Sequence, residues 1–217
     1  MSATIVWFRR DLRLTDNPAL TAAAARGPVI PLFVWAPGED GDWAPGGAQR
    51  WWLHESIDAL SKALAAQDSR LVIRRGPTAE ALAAVIEETG ATAVFWNRLY
   101  EPAARERDRE IASDLKERGI EIGHSEAALL WRPGSILTGS DSPYRVFTPF
   151  WKACLKAPAP GAPLPAPEDL EPPGEWPSGA TVDALGLRPT IRWYDGIAAS
   201  WTPGEDGAHA RLAAFLD

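Results

Sequence analysis

Over its first 125 residues the chain alternates short apolar runs with longer stretches of helical periodicity, and that alternation leaves few folds open. Apolar runs fall at 4–8, 29–35, 70–74, 92–97 and 120–123, and helix patterns at 17–26, 48–67, 78–89 and 102–118. In the second helix pattern, Trp52, Leu53, Ile57, Leu60 and Leu64 recur at the spacing of one helix face. Gly76-Pro77-Thr78 with Glu80 marks a helix start, and Gly90 and Gly119 follow helix ends as C-cap glycines do. Strands alternating with helices of this length predict βαβ units, hence an α/β fold with a doubly wound, five-stranded parallel sheet. Pro31 interrupts the second apolar run. It lacks an N–H, so the run is expected to start late or to leave that position unpaired.

After residue 125 the rhythm stops. Residues 126–147 read as an ordered loop, with turns at Arg132-Pro133-Gly134 and Ser142-Pro143, and Thr148 to Lys152 as a short helix with proline in its first turn. Residues 157–179 hold eight prolines in 23 positions. Neither helix nor sheet tolerates that density, so an extended connector is predicted. The division expected is an α/β unit over 1–130 and a connector over 131–217. Residues 157–200 should run irregularly over the surface, held down by Trp176, Trp193 and Trp201. At the end Ala208, Leu212, Phe215 and Leu216 share a helix face. That helix suits either a terminal element folding back or the start of a further domain.

The 217 residues are 46% hydrophobic, enough for one α/β domain with a full core. No apolar run approaches the roughly 18 residues of a membrane span, and the first residues lack the basic and apolar regions of a signal peptide. The single cysteine, Cys154, rules out an internal disulfide and a cysteine-built zinc site. A cytoplasmic monomer without a membrane partner is the simplest expectation. Net charge is −7, unevenly spread: residues 1–156 carry 19 basic against 20 acidic side chains, and residues 157–217 carry 3 against 9. The chain alone has no electrostatic case for gripping a phosphate backbone.

Catalytic and phosphate-binding signatures are missing. No Gly-x-Gly-x-x-Gly follows the first strand, no P-loop is present, and His54, His124 and His209 lie far apart. What remains is a way to hold a planar, anionic small molecule. Ligands bind outside the carboxyl ends of strands in open α/β sheets. There the chain places Arg9, Arg10, Phe33, Trp35, Asn97 and Glu101, with Trp51 and Trp52 at the start of the second helix. Arginines and aromatic faces stack on conjugated rings, and Asn and Glu orient them by hydrogen bonds. Phe33 and Trp35 equally suit plain core packing.

Several segments, in order, are recognisable: Trp7-Phe8-Arg9-Arg10-Asp11-Leu12-Arg13 with Asp16-Asn17-Pro18; Phe95-Trp96-Asn97; Glu101-Pro102; Arg105-Glu106-Arg107-Asp108; Gly134-Ser135-Ile136-Leu137-Thr138-Gly139; Tyr144 to Trp151; and Trp201-Thr202-Pro203-Gly204-Glu205. Each is modest alone, but together they span nearly the whole chain. The chain resembles the amino-terminal part of the DNA photolyase/cryptochrome family. The resemblance implies an α/β antenna domain, a long connector, and a helical carboxyl-terminal domain that binds FAD and DNA. The antenna pigment, a methenyl folate, a deazaflavin or sometimes a flavin, passes excitation to reduced FAD, which donates an electron to a pyrimidine dimer.

That points to the light-harvesting part of a deoxyribodipyrimidine photolyase, with a cryptochrome photoreceptor or a free-standing nucleotide-binding module as alternatives. The flavin domain lies beyond these residues, so no FAD, DNA or catalytic residue is carried over, and the chain alone is expected to be inactive. The resemblance puts Arg10, Phe33 and Asn97 in the pigment pocket with Glu101 nearby; with Trp35 and Trp51 added from their placement at the sheet's carboxyl edge, the expected site is Arg10, Phe33, Trp35, Trp51, Asn97 and Glu101. Ala103-Ala104 stand where the family's folate pattern has an Asn-Glu pair, so a deazaflavin or flavin is expected ahead of methenyl folate. The resemblance and the alternation together predict strand order 3-2-1-4-5, with Val6, Leu32, Val72, Val94 and Phe95 buried.

Overall fold

A computed structural model describes residues 2–39, 41 and 44–217. Five strands, β1 (Thr4–Phe8), β2 (Val29–Trp35), β3 (Val72–Arg75), β4 (Ala93–Asn97) and β5 (Glu121–Ser125), form one sheet in the order β3-β2-β1-β4-β5. Every pairing is parallel. Helices α1 (Pro18–Ala24), α2 (Gly47–Ala65), α3 (Thr78–Thr89) and α4 (Pro102–Glu117) provide the crossovers. Asn17 caps α1 by accepting from the Leu20 amide, with Pro18 at the first helical position.

Period-two alternation sorts the central strands between two apolar layers. Ile5, Trp7, Leu32, Val72 and Val94 pack against Leu82 and Val85 of α3 and Ile111 and Leu115 of α4. Val6, Phe8, Val29 and Phe95 pack against Leu20 of α1 and Leu60 and Leu64 of α2. The five residues expected in the core are all buried. Gly123 of β5 is required by this packing, because a Cβ there would meet the Phe95 ring at 2.6 Å. The Pro31 expectation is corrected: β2 begins at Val29, and Pro31 pairs in register with Val6 of β1. The proline is tolerated because β3 joins only from Leu32 onward, so at Pro31 the sheet has a neighbour on one side.

Beyond β5 come a loop, helix α5 (Phe147–Lys156), a long irregular strap with one short 3-10 turn (Asp183–Leu185), and helices α6 (Asp195–Ser200) and α7 (Glu205–Leu216). The expected turn at Ser142-Pro143 lies slightly earlier, where the Thr138 amide donates to the Ser142 carbonyl at 2.9 Å. Helix α6 also replaces the irregular run expected through residue 200. The strap's anchors differ from those expected. Trp176 is half-buried beneath Arg70, but Trp193 and Trp201 stay 47% and 48% exposed. Leucines hold the strap instead: Leu170 joins the α1–α2 layer, and Leu185 and Leu187 fill the seam bounded by Phe33, Trp35, Ile57 and Ile73. Trp176 packs instead against the α3–α4 layer, and no strap indole enters the seam.

Next to the seam, His54 of α2 is buried under the 3-10 turn. Its Nε2 lies 3.6 Å from Asp183 Oδ1, and its Nδ1 has no hydrogen-bond partner among the described residues. Burial, and next the Arg188 charge, push His54 below the ordinary imidazole range.

Truncating Leu170 to alanine should cost about 2–5 kcal/mol in chemical denaturation, the usual penalty for a fully buried leucine. Trp193→Ala should cost less than half as much, and equal costs would show that the indoles do the anchoring. A second expectation concerns acid. Because the folded chain binds the His54 proton more weakly than the unfolded chain does, its neutral form stabilises the fold above the unfolded value, and that contribution is lost as pH falls. The melting temperature should therefore drop from about pH 7 to about pH 5 more steeply in the parent than in His54→Gln. Parallel slopes would contradict it.

Candidate functional site

With this strand order, the crevice where an open α/β sheet ordinarily takes a ligand lies between β1 and β4. The chain fills it with its own side chains. Arg9, just past β1, is buried. Its Nη1 donates to Asp108 Oδ2 at 2.6 Å, its Nη2 to the Asn97 carbonyl, and its guanidinium lies 4.4 Å above the Trp7 ring. Burial lowers the Arg9 pKa, against the pull of Asp108. Asn97, at the end of β4, donates to Asp11 Oδ2 at 2.6 Å and to Asn17 Oδ1 at 2.7 Å, while its Oδ1 accepts from the Ala19 amide at 3.2 Å. Both of its amide protons are used.

The six residues expected to share one pocket are divided among four places. Asn97 belongs to that buried network rather than to a ligand wall. Phe33 and Trp35 are core, 5% and 9% exposed, under Leu185 and Leu187. Arg10 and Glu101 do come together, as an ion pair exposed at the sheet edge. The Glu101 carboxyl is held below the ordinary range by its own backbone amide and by Arg10. Trp51 sits on α2, buried behind Tyr194.

Two grooves among the described residues bear on ligand binding. One, of about 530 Å³ between α3 and α4, includes Glu39, Ala103, Glu106, Arg107, Glu110 and Asp114 in its lining. Glu39 crosses it to accept from the Thr78 amide at 2.6 Å and the Thr78 hydroxyl at 2.5 Å, which satisfies the start of α3. Four carboxylates against one guanidinium repel an anion. The other groove, of about 400 Å³, lies between α2 and the strap, lined by Trp51, Glu55, Arg188, Arg192, Tyr194 and Ala198. The Trp51 and Tyr194 rings stack at 5.4 Å, 20° from parallel. Arg188 Nη2 pairs with Glu55 Oε1 at 2.9 Å, and Arg192 Nε with Asp195 Oδ1 at 3.2 Å.

This second groove sets the Tyr194 ring, backed by buried Trp51, beside two guanidinium groups that a negative tail would share with Glu55 and Asp195. The sequence reading missed Arg188, Arg192 and Tyr194, which lie more than 130 positions from Trp51. A usable signal was there: the otherwise acidic segment 157–217 has only three basic residues, and two of them, Arg188 and Arg192, fall shortly before Tyr194. Among the described residues no group of three His, Cys, Asp or Glu side chains could hold a metal ion. No described helix is long and apolar enough to cross a membrane.

Comparison with known proteins agrees with this architecture. Residues 4–168 match the DNA photolyase family. A deoxyribodipyrimidine photo-lyase from Agrobacterium fabrum is 41% identical over 98% of this chain and 44% of its own length. Cryptochrome-2 of Arabidopsis thaliana is 38% identical over 99% of this chain and 36% of its own. The chain thus spans less than half the length of these relatives. Among solved structures, a bacterial class III photolyase from Agrobacterium tumefaciens superposes with a TM-score of 0.94 at 40% identity, over all of this chain and 45% of that one. An archaeal photolyase from Sulfolobus tokodaii, described with two FAD molecules and a novel light-harvesting cofactor, reaches 0.71 at 28% identity over 88% of this chain and 43% of that one. With the fold, the ordered motifs and a family match over three quarters of its length, this chain belongs to the DNA photolyase family.

Proposed function

We propose that this chain is the light-harvesting part of a light-driven photolyase, with residues 1–130 as the antenna unit and 131–217 as the connector to a flavin-bearing helical domain. The observation that carries the reading is the groove between α2 and the strap, where stacked Trp51 and Tyr194 adjoin Arg188 and Arg192. Antenna pigments of this family are flat conjugated rings, and folates and phosphorylated flavins add an anionic tail. In the parent protein the pigment collects light, FAD performs electron transfer to the pyrimidine dimer, and the helical domain holds the DNA. Cryptochrome signalling is the second reading, supported by the plant relative at 38% identity.

For the pigment itself, Ala103-Ala104 support a deazaflavin or flavin ahead of methenyl folate, because α4 offers no Asn-Glu pair to a folate. Ala104 is buried and Ala103 lines the acidic groove, so at these two positions α4 offers a folate no polar side chain. The α2–strap groove is the site proposed for whichever pigment binds, and titration decides among the three.

Each pigment at about 100 times its dissociation constant should stabilise the fold by about 2.7 kcal/mol. In a chain of this size that is roughly a 5–10 °C rise in melting temperature. Arg192→Ala should weaken binding by roughly tenfold or more, since a hydrogen bond to a charged group contributes about 1.5–3 kcal/mol. Arg10→Ala should leave binding unchanged. The opposite pattern would move the site to the Arg10–Glu101 edge, and a larger shift with folate than with either flavin would reverse the order of preference. No shift with any pigment would overturn the pigment-binding reading. Under light, the 217-residue chain by itself is expected to repair no pyrimidine dimers, and repair by it would refute the division of labour between antenna and flavin domain.

A further inference from the structure

Glu205, the first residue of α7, has His209 Nε2 of its own helix 3.8 Å from Oε1, but its hydrogen bonds go elsewhere. Its carboxylate reaches back about 190 positions to the loop after β1, accepting from the Leu14 amide at 2.8 Å, the Thr15 amide at 2.9 Å and the Thr15 hydroxyl. The loop it grips is itself cross-braced by hydrogen bonds. Arg13 donates to the Thr15, Asp16 and Ala127 carbonyls, and Asn17 donates to the Arg13 carbonyl at 3.0 Å. Through Asn17 and Asn97 that loop continues into the buried network at the end of β1 and β4. The approach of α7 is close as well. Gly204 has φ +101°, and a Cβ there would lie 2.6 Å from the Ala59 Cβ of α2.

We infer that Glu205 is a positioning residue that locks α7 at one angle to the α/β unit. Beyond this lock, α7 makes little contact of its own: Leu212, Phe215 and Leu216 are 58%, 83% and 73% exposed. Three donors on one carboxylate constrain rotation as well as distance, which apolar contact against α2 does not. In a protein of the relatives' length, the direction of α7 sets where the next domain starts relative to the α2–strap groove. Excitation transfer depends steeply on separation and on mutual angle, so the lock governs transfer without touching pigment. For its purpose the inference rests on the light-harvesting reading; the lock itself does not.

The test is a distance distribution between spin labels at Glu80→Cys on α3 and Phe215→Cys on α7, measured by pulsed electron resonance with Cys154 replaced by alanine. The parent should give one narrow peak. Glu205→Ala and, separately, Thr15→Val should each broaden it at least twofold, with Thr15→Ser restoring the parent width. Amides of Leu14 and Thr15 should exchange at least tenfold faster in Glu205→Ala. Should Glu205→Ala fail to fold, Thr15→Val, which leaves the carboxylate and two of its donors in place, still decides the matter. Unchanged width in the folded variants would overturn the inference and leave α7 held by apolar contact alone. Loss of pigment binding with the widths behaving as expected would remove the light-harvesting reading and leave the lock standing.

Discussion

The buried guanidinium of Arg9 is the constraint on which the site's layout depends. A charge taken out of water is costly unless paired and hydrogen-bonded. Here Asp108 from α4, the Asn97 carbonyl from β4 and the face of Trp7 from β1 together meet it. Once these groups converge, β1, β4 and α4 are fixed to one another, and Asn97 and Asn17 add the start of α1. The same convergence occupies the crevice that the strand order creates. A ligand would have to break the Arg9–Asp108 pair, leaving the Arg9 guanidinium buried without its carboxylate while Asp108 kept Arg107 at 3.1 Å. That is why the site proposed above lies outside the crevice, in the groove that α2 shares with the strap.

The strap solves a problem of backbone accounting. Proline offers a carbonyl but no N–H, so a segment so rich in it can accept hydrogen bonds more readily than it can donate them. The contacts follow that rule. Arg70 donates to the Pro177 carbonyl at 2.8 Å, Gln67 to that of Pro167 at 3.3 Å, Arg75 to that of Ala184 at 2.8 Å, and the Val29 amide to that of Glu171 at 2.9 Å. The α/β unit supplies these donors, the non-proline amides of Leu164, Ser178 and Ala180 donate back to it, and Leu170, Leu185 and Leu187 supply the apolar adhesion. An irregular segment thereby follows one path and carries Arg188, Arg192 and Tyr194 to α2.

Much of this was legible in the sequence because it is local. The strands and the first four helices lie within a few residues of the predicted bounds, since hydrophobic period, caps and C-cap glycines all act over one or two turns. Packing between distant segments was harder to read. Asn97 looked like a ligand group because it ends a strand, yet its partners Asp11 and Asn17 lie 80 or more positions away. Trp193 and Trp201 looked like anchors because they are large, while smaller leucines fit the seam. Helix α6, six residues long, has too few turns to show a period. Glu205 was quoted only as part of a motif, for nothing near it in sequence reveals that its acceptors face Leu14 and Thr15.

The course of the strap has one more effect. β3 is an outer strand, and an outer strand exposes unpaired backbone groups that another chain can extend by adding a strand of its own. Here the Ala180 amide takes the Ile73 carbonyl at 2.9 Å, and Gly179 lies against the Ile73 backbone closely enough that a Cβ would contact its nitrogen at 3.4 Å. Just upstream stand Pro177, Pro173 and Pro172, which cannot donate to a newcomer. The segment that completes the groove on one side thus acts as a guard on that border of the sheet, discouraging edge-to-edge aggregation of a fold whose parallel strands would otherwise invite it.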